Sequence, residues 1–270
     1  MAKADNIAFI GGGIMAEALI AGIIGDGLIE PKNVSVGEPA ESRRKYLGST
    51  YGVSCESENL KAVHDVGLIV LSVKPQQLGG VLAELRGNMN KDQLVLSIVA
   101  GAGISQIQKD LDHPLIVRVM PNTPSQVRQG MIVWTASEDV SETKKAFVLR
   151  ILETLGLQVF VEDERYLDMA TAISASGPAY VFLFLEAMID AGVYLGLPKS
   201  LTETLVLQTF SGSTDLAKVS DKHLAELRNM VTSPGGTTAE ALLSMERDGI
   251  RSAIINAVVA AHRKARSLGG

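Results

Sequence analysis

A glycine-rich segment near the start of the chain has the spacing of a phosphate-binding turn. Residues 9–16 read FIGGGIMA and contain the pattern G-x-G-x-x-A. The pattern follows a short apolar run, typical of a strand, and opens a predicted helix. Gly11 permits the tight turn, Gly13 lets the backbone approach a pyrophosphate, and Ala16 lets helix and strand pack closely. Free N–H groups at the helix start can then hold the phosphates. The segment predicts a dinucleotide cofactor; the competing interpretation is a glycine-rich turn without a ligand.

The end of the second predicted strand carries residues that bear on the choice between NAD and NADP. Glu38 follows this strand, and an acidic residue there accepts hydrogen bonds from the ribose 2′-OH and repels a 2′-phosphate. Arg43 and Arg44 come a turn later and could reach a 2′-phosphate, or they form a solvated helix face. The sequence therefore leaves the choice between NADH and NADPH open.

Three other strand ends carry residues suited to a cofactor, because ligands of a doubly wound sheet bind at the carboxyl ends of its strands. Residues 72–75 read SVKP, and Lys74 could meet a phosphate or a ribose. Residues 97–101 read SIVAG, whose small side chains leave room for a flat ring. Residues 118–124 read RVMPNTP, where two prolines fix a loop and the Asn and Thr side chains could hold the nicotinamide amide. Each segment alone is only a strand followed by a turn.

Two segments stand out in the last hundred residues. Residues 174–180 read SASGPAY and lead into an apolar helix, and residues 231–242 read VTSPGGTTAEAL. In the second segment a tight turn precedes Thr237 and Thr238, whose hydroxyls lie beside free backbone N–H groups at a helix start. This arrangement suits a carboxylate ligand, although ordinary helix N-capping by threonine is the more common use of such residues.

The rest of the sequence has few side chains of the types that act as nucleophiles, bases or metal ligands. The chain has 270 residues with 26 glycines, four histidines and one cysteine, Cys55, and its net charge is −5. A lone cysteine forms no internal disulfide, the histidines lack metal-ligand spacing, and an acidic chain without basic runs is not typical of nucleic-acid binding. We expect no metal site and no nucleic-acid partner, and a cofactor that supplies the reactive chemistry.

Hydrophobic patterning predicts two domains, an α/β domain over 1–163 and a helical domain over 164–270. Strands that alternate with helices indicate βαβ units and a parallel sheet. The predicted strands are 6–10, 34–36, 68–72, 94–98, 115–119, 132–135 and 159–161. The predicted helices of the first domain are 14–25, 40–50, 76–85, 104–111 and 141–155. Those of the second are 164–174, 177–195, 199–219, 221–231, 237–248 and 250–267. Cys55 is expected after a strand.

The most apolar stretch is 179–197, which we interpret as a buried helix rather than a membrane span. Glu186 and Asp190 lie near its middle, which makes a bilayer crossing costly. Its aromatic residues are expected in a core or a subunit interface. A helix that is apolar nearly all round needs burial that a small helical domain cannot supply, so we expect a C2 homodimer. No signal peptide is evident, and a cytoplasmic location is expected.

The combination of these motifs resembles the pyrroline-5-carboxylate reductase family. The resemblance covers nearly the whole chain and rests on the segments 9–16, 72–76, 118–124, 174–180 and 233–238, the last with the family's Pro-Gly-Gly-x-Thr signature. It implies a Rossmann-type dinucleotide-binding domain followed by an all-α dimerisation domain. It implies reduction of 1-pyrroline-5-carboxylate to L-proline with NADPH or NADH, in a homodimer or a larger ring of dimers.

The resemblance also implies the site residues. Cofactor contacts are expected at Gly11, Gly12, Gly13, Ile14, Met15, Ala16, Asn59, Ser72, Val73, Lys74, Pro75, Ile98, Val99, Ala100, Met120, Pro121, Asn122 and Thr123. Substrate contacts are expected at Ser176, Ser233, Gly235, Gly236, Thr237 and Thr238. Thr238 is expected near the ring nitrogen as the catalytic residue. Glu38, also expected at the cofactor, departs from the hydroxyl residue that NADPH-using members often carry there.

Two other functions are compatible with parts of the pattern. A β-hydroxyacid dehydrogenase-like enzyme shares the layout, but it needs an acid such as a helix lysine, and Lys199 is the one lysine between Lys145 and Lys218. A dinucleotide-sensing protein without turnover would not need the 233–238 segment.

Overall fold

The computed structural model describes residues 3–268, with side chains described for residues 6–267. The chain folds into two compact units. Unit 1 comprises the residues up to 176 together with those from 261 onward, and unit 2 comprises 177–260. The predicted domain boundary between residues 163 and 164 stays a prediction.

Unit 1 is built around an eight-stranded sheet with the order β3-β2-β1-β4-β5-β6-β7-β8. Its strands are β1 Lys3–Ile10, β2 Val34–Gly37, β3 Ser54–Glu56, β4 Val66–Leu71, β5 Leu94–Ser97, β6 Ile116–Met120, β7 Gly130–Ala136 and β8 Gly156–Phe160. Its helices are α1 Ile14–Gly25, α2 Glu41–Tyr51, α3 Asn59–Ala62, α4 Pro75–Leu85, α5 Ile104–Leu111, α6 Glu142–Glu153 and α7 Arg165–Ala170. The order β3-β2-β1-β4-β5-β6 is that of a Rossmann fold, which confirms the predicted fold class.

The central strands are apolar because both faces of the sheet are covered. In β1, Phe9 packs into one core cluster and Ile10 into the other, and both are fully buried. In β4, Val70 and Ile69 divide between the same two clusters. Strands buried on both faces read as continuous apolar runs rather than alternating ones. The sheet edge that carries the turns after β1 and β4 is therefore rigid.

Two features of this sheet differ from the prediction. β7 pairs antiparallel with β6, with Arg118 opposite Thr135, because the link between them holds only a short 3₁₀ turn and a parallel connection needs a longer crossover. β3 was not predicted, and Cys55 lies within it rather than after a strand. β3 is short, partly exposed and pairs only with β2, so it lacks an apolar signal.

After residue 164 the described residues form helices joined by turns and short loops, without a strand, as expected. α7 continues into a π-helical turn, Thr171–Ala175, where one ordinary helix was predicted. The remaining helices are α8 Gly177–Tyr194, α9 Lys199–Val219, α10 Leu224–Met230, α11 Thr237–Arg247 and α12 Ile250–Leu268. α8 packs closely on α9 at Gly192, where a Cβ would lie 2.3 Å from a methyl group of Thr202.

Burial of the apolar helix was expected in a core or a subunit interface, and within a single chain this helix is largely exposed. The helical stretch Arg165–Tyr194 is long and apolar enough, by length and composition alone, to cross a membrane, and only 6% of its most apolar window is buried. Phe182 and Leu183 of α8 are 61% and 65% exposed. The apolar surface of this helix is thus not covered within one copy of the chain.

Candidate active site

A cleft of about 380 Å³ opens where the carboxyl ends of β1, β2 and β4 meet. The turn after each of these strands contributes to it, through Gly11, Glu38 and Ser72 respectively. Its lining residues are Gly11, Gly13, Gly37, Glu38, Pro39, Asn59, Ser72, Val73, Lys74, Gln77 and Val81. Gly11, Gly13, Glu38, Asn59, Ser72, Val73 and Lys74 of this set are predicted cofactor residues. The predicted set does not include the other four, Gly37, Pro39, Gln77 and Val81; the last two lie on α4, where no motif marks them.

The glycine-rich turn has the geometry that its spacing predicts. Gly11 has a φ of +96°, and a Cβ there would lie 2.8 Å from the carbonyl oxygen of Ser72, so only glycine fits without strain. Gly13, the residue before α1, is exposed, and a Cβ there would meet no atom within 4 Å. The space over Gly13 is therefore open, and the N–H groups of the first turn of α1, which have no intrahelical partners, adjoin it.

Ser72 holds the glycine-rich turn from the side of β4. Its hydroxyl lies 3.0 Å from the carbonyl oxygen of Ile10 and 2.8 Å from that of Gly11, and its backbone N–H donates to the carbonyl of Ile10. Val73 and Lys74 continue from it along the cleft. Lys74 is exposed, so its ammonium is accessible to an anion.

Asn59 closes the cleft beside the end of β2. A Cβ on Gly37 would lie 2.7 Å from Oδ1 of Asn59, so the glycine permits the close approach of α3 to the strand. The Asn59 amide donates to Glu84 at 2.7 Å. Asn59 is thus oriented by α4 while it lines the cleft.

Glu38 and the two arginines that follow it are engaged with the backbone. The Glu38 carboxylate accepts from the N–H groups of Gly12 and Ala40, both at 2.9 Å. Arg43 donates to the carbonyl of Gly12 and pairs with Glu17, and Arg44 donates to the carbonyl of Glu38 at 2.7 Å. Both arginines are half-buried, so the alternative of a solvated helix face is wrong.

The other two predicted loops, 97–101 and 118–124, are not among the segments that line this cleft. Val99 is buried in a core cluster, while Ile98 and Ala100 are half-buried. Met120 and Pro121 are buried as well. The predicted cofactor contacts at these positions stay predictions.

Asn122 is held by the protein itself. Its Oδ1 accepts from the N–H of Met131 at 2.9 Å, and its amide donates to the carbonyl and hydroxyl of Ser174 at 3.2 and 3.3 Å. Both ends of the side chain therefore connect the loop after β6 to β7 and to the π-helical turn. Thr123, the next residue, is exposed and so accessible to a ligand.

The segment 233–238 of unit 2 forms a tight turn that opens α11. The N–H of Gly236 donates to the carbonyl of Ser233 at 3.0 Å, and Gly235 has a φ of +67°. A Cβ on Gly236 would lie 2.5 Å from the hydroxyl oxygen of Ser233. Gly236 is the N-cap of α11, so Thr237 and Thr238 occupy the first turn and neither is the capping residue. Ordinary capping by threonine is thus not the use of these hydroxyls.

Ser176 ends the π-helical turn, and its N–H donates to the carbonyl of Thr171 at 2.9 Å. The side chain is half-buried. Among residues 3–268, the structure brings together no group of three or more His, Cys, Asp or Glu side chains that could hold a metal ion.

The residues of the cleft fit a dinucleotide. The cleft has the features of an anion-binding cradle. These are a turn at Gly11 that a Cβ would obstruct, an open face at Gly13 and the N-terminus of a helix. Glu38 still has acceptor capacity for a ribose hydroxyl, because two carboxylate oxygens offer about four lone-pair positions and two are used here.

Two known family models match separate parts of the chain. The family model described as pyrroline-5-carboxylate reductase dimerisation matches residues 164–268. The family model described as NADP oxidoreductase, coenzyme F420-dependent, matches residues 6–101.

Relatives match over the full length. The pyrroline-5-carboxylate reductase of Synechocystis sp. is 43% identical over 98% of each chain. The crystal structure of pyrroline carboxylate reductase from Plasmodium falciparum with NADP bound is 34% identical, with a TM-score of 0.91 and 98% of each chain covered. The structure of a pyrroline-5-carboxylate reductase from Coxiella burnetii is 35% identical, with a TM-score of 0.88, covering 99% of this chain and all of that one. These similarities, together with the cleft and the turn that opens α11, show that the chain belongs to the pyrroline-5-carboxylate reductase family.

Proposed function

We propose that Ser233, Gly235, Gly236, Thr237 and Thr238 bind the substrate while the chain reduces 1-pyrroline-5-carboxylate to L-proline, the last step of proline biosynthesis. The chain is an NAD(P)H-dependent oxidoreductase. The observation that carries the assignment is the turn 233–236, which presents the N-terminus of α11 with two threonines in its first turn. The positive end of the helix dipole favours an anion there, and the substrate has one carboxylate.

Thr238 is proposed to act on the ring nitrogen. It is half-buried, whereas Thr237 is exposed, so the hydroxyl of Thr238 is better shielded from water. A protonated cyclic imine is already electrophilic, so the protein needs to hold the ring and the nitrogen proton rather than to supply a strong acid. A hydroxyl can accept a hydrogen bond from the iminium N–H and donate one to the amine that forms, since it is both a donor and an acceptor.

A bound NAD(P)H supplies the hydride that reduces the imine carbon. The task of the chain is orientation, and positioning alone can supply roughly 7–11 kcal/mol of the barrier in well-aligned systems. Binding of the substrate carboxylate at the start of α11 is proposed to fix which face of the substrate ring receives the hydride. Ser72 and Gly11 hold the cofactor turn of unit 1 in place.

We further propose that Glu38 shifts the preference towards NADH. Its carboxylate lines the cleft and repels a second anion, whereas it can accept a hydrogen bond from the ribose 2′-OH. The structure with NADP bound belongs to the Plasmodium falciparum relative, and the preference of this chain is a separate question. The ratio of kcat/KM for NADH and NADPH should move towards NADPH in Glu38→Gln, which removes the charge and keeps the size; an unchanged ratio would exclude this role.

The assembly is proposed to be a homodimer through the helical region, either alone or as the unit of a larger ring. Support comes from the exposed apolar residues of α8 and α9, such as Phe182, Leu183, Leu205 and Leu207, and from the dimerisation family model. A cytoplasmic location remains a prediction. Cell fractionation tests it, because enzyme activity in the membrane pellet would contradict it.

Steady-state kinetics of threonine variants test the substrate site. We expect Thr238→Ala to lower kcat by about tenfold to a hundredfold, the range of one lost hydrogen bond in the transition state, and Thr238→Ser to restore most of it. Thr237→Ala should raise KM more than it lowers kcat. Wild-type turnover of Thr238→Ala at saturating substrate would rule out its role. Turnover of hydroxyacid-type carbonyls in place of the imine would favour the dehydrogenase-like alternative.

A further inference from the structure

Both backbone polar groups of Gly12 are bonded to charged side chains from the segment that follows β2. Its N–H donates to Oε2 of Glu38 at 2.9 Å, and its carbonyl accepts from Nε of Arg43. Gly12 is buried, and a Cβ on it would lie 2.8 Å from a methyl group of Leu47 and 3.4 Å from Glu38. The middle residue of the G-x-G turn is therefore packed against α2 and cannot rotate freely.

Arg43 is itself fixed by a cluster on α1 and α2. Nη2 of Arg43 pairs with Oε2 of Glu17, and its distance to the carbonyl oxygen of Gly13 is 3.4 Å. Oε1 of Glu17 accepts from the hydroxyls of Tyr46 at 2.9 Å and Tyr51 at 2.8 Å. The guanidinium of Arg43 also lies over the ring of Tyr46, at 5.0 Å. These contacts together determine one orientation of the guanidinium.

This orientation directs Arg43 at the glycine-rich turn. Its contacts on Nε and Nη2 go to the carbonyls of Gly12 and Gly13 and to Glu17. To bind a 2′-phosphate, the Arg43 guanidinium would have to give up these contacts. To support the turn it needs no change, because the contacts exist before any ligand binds. Preformed contacts lower the entropic cost of ordering a loop on binding.

We propose that Glu38 and Arg43 form a clamp on the backbone N–H and carbonyl of Gly12, with Glu17 holding Arg43 in place. The clamp sets the conformation of the glycine-rich turn for both cofactors. Arg43 is then a positioning residue and not the selector of the 2′-phosphate. The segment after β2 has two tasks, since Glu38 both lines the ribose end of the cleft and holds the turn. The inference rests on dinucleotide binding by this cleft.

Direct binding of the two cofactors to the full-length protein, without substrate, tests the clamp. We expect Arg43→Ala to raise the Kd of NADH and of NADPH by the same factor, about tenfold for lost charge-assisted contacts. Arg43→Lys should recover little, because an ammonium cannot contact Gly12 and Glu17 in the same fork geometry. Glu17→Gln should show a smaller loss of the same kind for both cofactors.

Lys45→Ala is the matched control. Lys45 is the next cation of α2 after the two arginines, and its side chain is 76% exposed in a pair with Glu41, so this variant removes the same charge and leaves the clamp intact. Both Kd values should stay within about twofold of wild type, since exposed pairs contribute little. A general field effect on the phosphates would instead weaken binding in Lys45→Ala as well, and equal losses in the two variants would overturn the proposal.

Amide hydrogen exchange of the cofactor-free protein supplies a readout that does not depend on catalysis. Peptides that cover residues 11–17 should exchange faster in Arg43→Ala, while peptides that cover β5 should not change. Loss of NADPH binding alone, or unchanged Kd values for both cofactors, would overturn the clamp. A wild-type protein that binds neither cofactor would overturn the clamp and the proposed function together, whereas cofactor binding with an unaffected Arg43→Ala would overturn the clamp only.

Discussion

At the scale of single residues, the two outer glycines of the turn have different tasks. At Gly11 the backbone adopts a conformation that favours glycine and a Cβ would strike Ser72, whereas at Gly13 a Cβ would point into open space. Gly11 is therefore required by the fold of the turn itself. We propose that Gly13 is required instead by what approaches the turn from outside, the pyrophosphate of the cofactor.

A pair of alanine variants separates these tasks. Gly11→Ala should lower both the melting temperature and cofactor affinity, because the strain costs roughly 1–3 kcal/mol. Gly13→Ala should lower cofactor affinity with little change in the melting temperature, because the new methyl group contacts only the ligand. Calorimetry of the free protein and titration with NADH and NADPH measure both quantities. Equal thermal losses in the two variants would contradict the distinction.

The Glu17 cluster predicts an acid-sensitive contribution to stability. Burial raises the pKa of Glu17, but hydrogen bonds from Arg43, Tyr51 and Tyr46 outweigh it and leave the pKa below its ordinary value. Because the folded-state pKa is lowered, the stabilisation is complete above the unfolded-state pKa, about 4.3, and is lost as the pH falls through the folded-state value.

Urea unfolding of wild type and Glu17→Gln at several pH values measures this contribution. The wild type should be more stable by roughly 1–2 kcal/mol at neutral pH, and the difference should shrink when the pH falls below about 4. Glu142→Gln is the control, because the Glu142 side chain is 88% exposed in its pair with Lys145. A difference that grows towards low pH would have the wrong sign for a Glu17 pKa that folding lowers.

The glycine motif predicted Gly11 and Gly13, and the strand-end argument predicted Ser72, and all three line one cleft. The glycine spacing was informative because it reports a backbone conformation. The clamp of Arg43 on Gly12 was not predictable, since it joins residues 31 positions apart through side-chain rotamers that no periodicity encodes. Asn122 shows the same limit: its side chain was expected to hold the nicotinamide amide, which stays a prediction, whereas its bonds to Met131 and Ser174 were not foreseen.

At the scale of elements, a buried arginine joins β6, α5 and α7. Arg118 of β6 is 3% exposed and donates to Glu164 and to Asp168, both at 2.8 Å. Oε1 of Glu164 also accepts from the N–H of Ile104, the first residue of α5, at 2.9 Å. The arginine therefore fixes the start of α5, which follows the predicted cofactor loop at residues 98–100.

Removal of Arg118 should destabilise the protein. Arg118→Met keeps the apolar stem and leaves Glu164 and Asp168 without their cation, which should cost roughly 1–3 kcal/mol of unfolding free energy. Both carboxylates retain some access to water, so the cost stays below that of a fully buried orphan charge. Chemical denaturation measures it.

Arg165→Met is the control for Arg118. Its pair with Asp163 is a surface pair in which the Arg165 side chain is 84% exposed, and surface pairs add little to stability. We expect no measurable change. Equal effects of the two substitutions would show that burial does not decide the strength of these pairs.

Long periodic elements were predictable from the sequence, and short polar ones were not. α1, α5 and α9 have the predicted bounds, and a glycine or proline directly before each helix marks its start. β3 and the direction of β7 escaped prediction, because pairing with a neighbouring strand decides them. Tertiary pairing, not local propensity, governs such elements.

At the scale of the whole molecule, exposed apolar surface is concentrated on the helices of unit 2. Leu183, Leu207 and Val219 are 65%, 54% and 81% exposed, far more than monomeric proteins usually tolerate over contiguous helices. A second copy of the chain is the proposed cover, in keeping with the dimerisation family to which these residues belong.

Charge placed on this surface should break the assembly. Leu183→Glu should convert the dimer to a monomer or a misassembled chain, because a carboxylate in an apolar interface must be desolvated. Leu157→Glu on β8 of unit 1 is the control, at 74% exposure, and should leave the dimer intact. Light scattering after size exclusion measures the mass. An unchanged mass in Leu183→Glu would place the interface elsewhere.

The most direct test of the proposed reaction is a single assay of the purified wild-type chain with 1-pyrroline-5-carboxylate. We predict that NADH and NADPH are oxidised only when the imine is present, with one L-proline formed for each nicotinamide oxidised and with the higher kcat/KM for NADH. Cofactor binding without any oxidation, or oxidation that yields no proline, would contradict the reaction proposed for this chain.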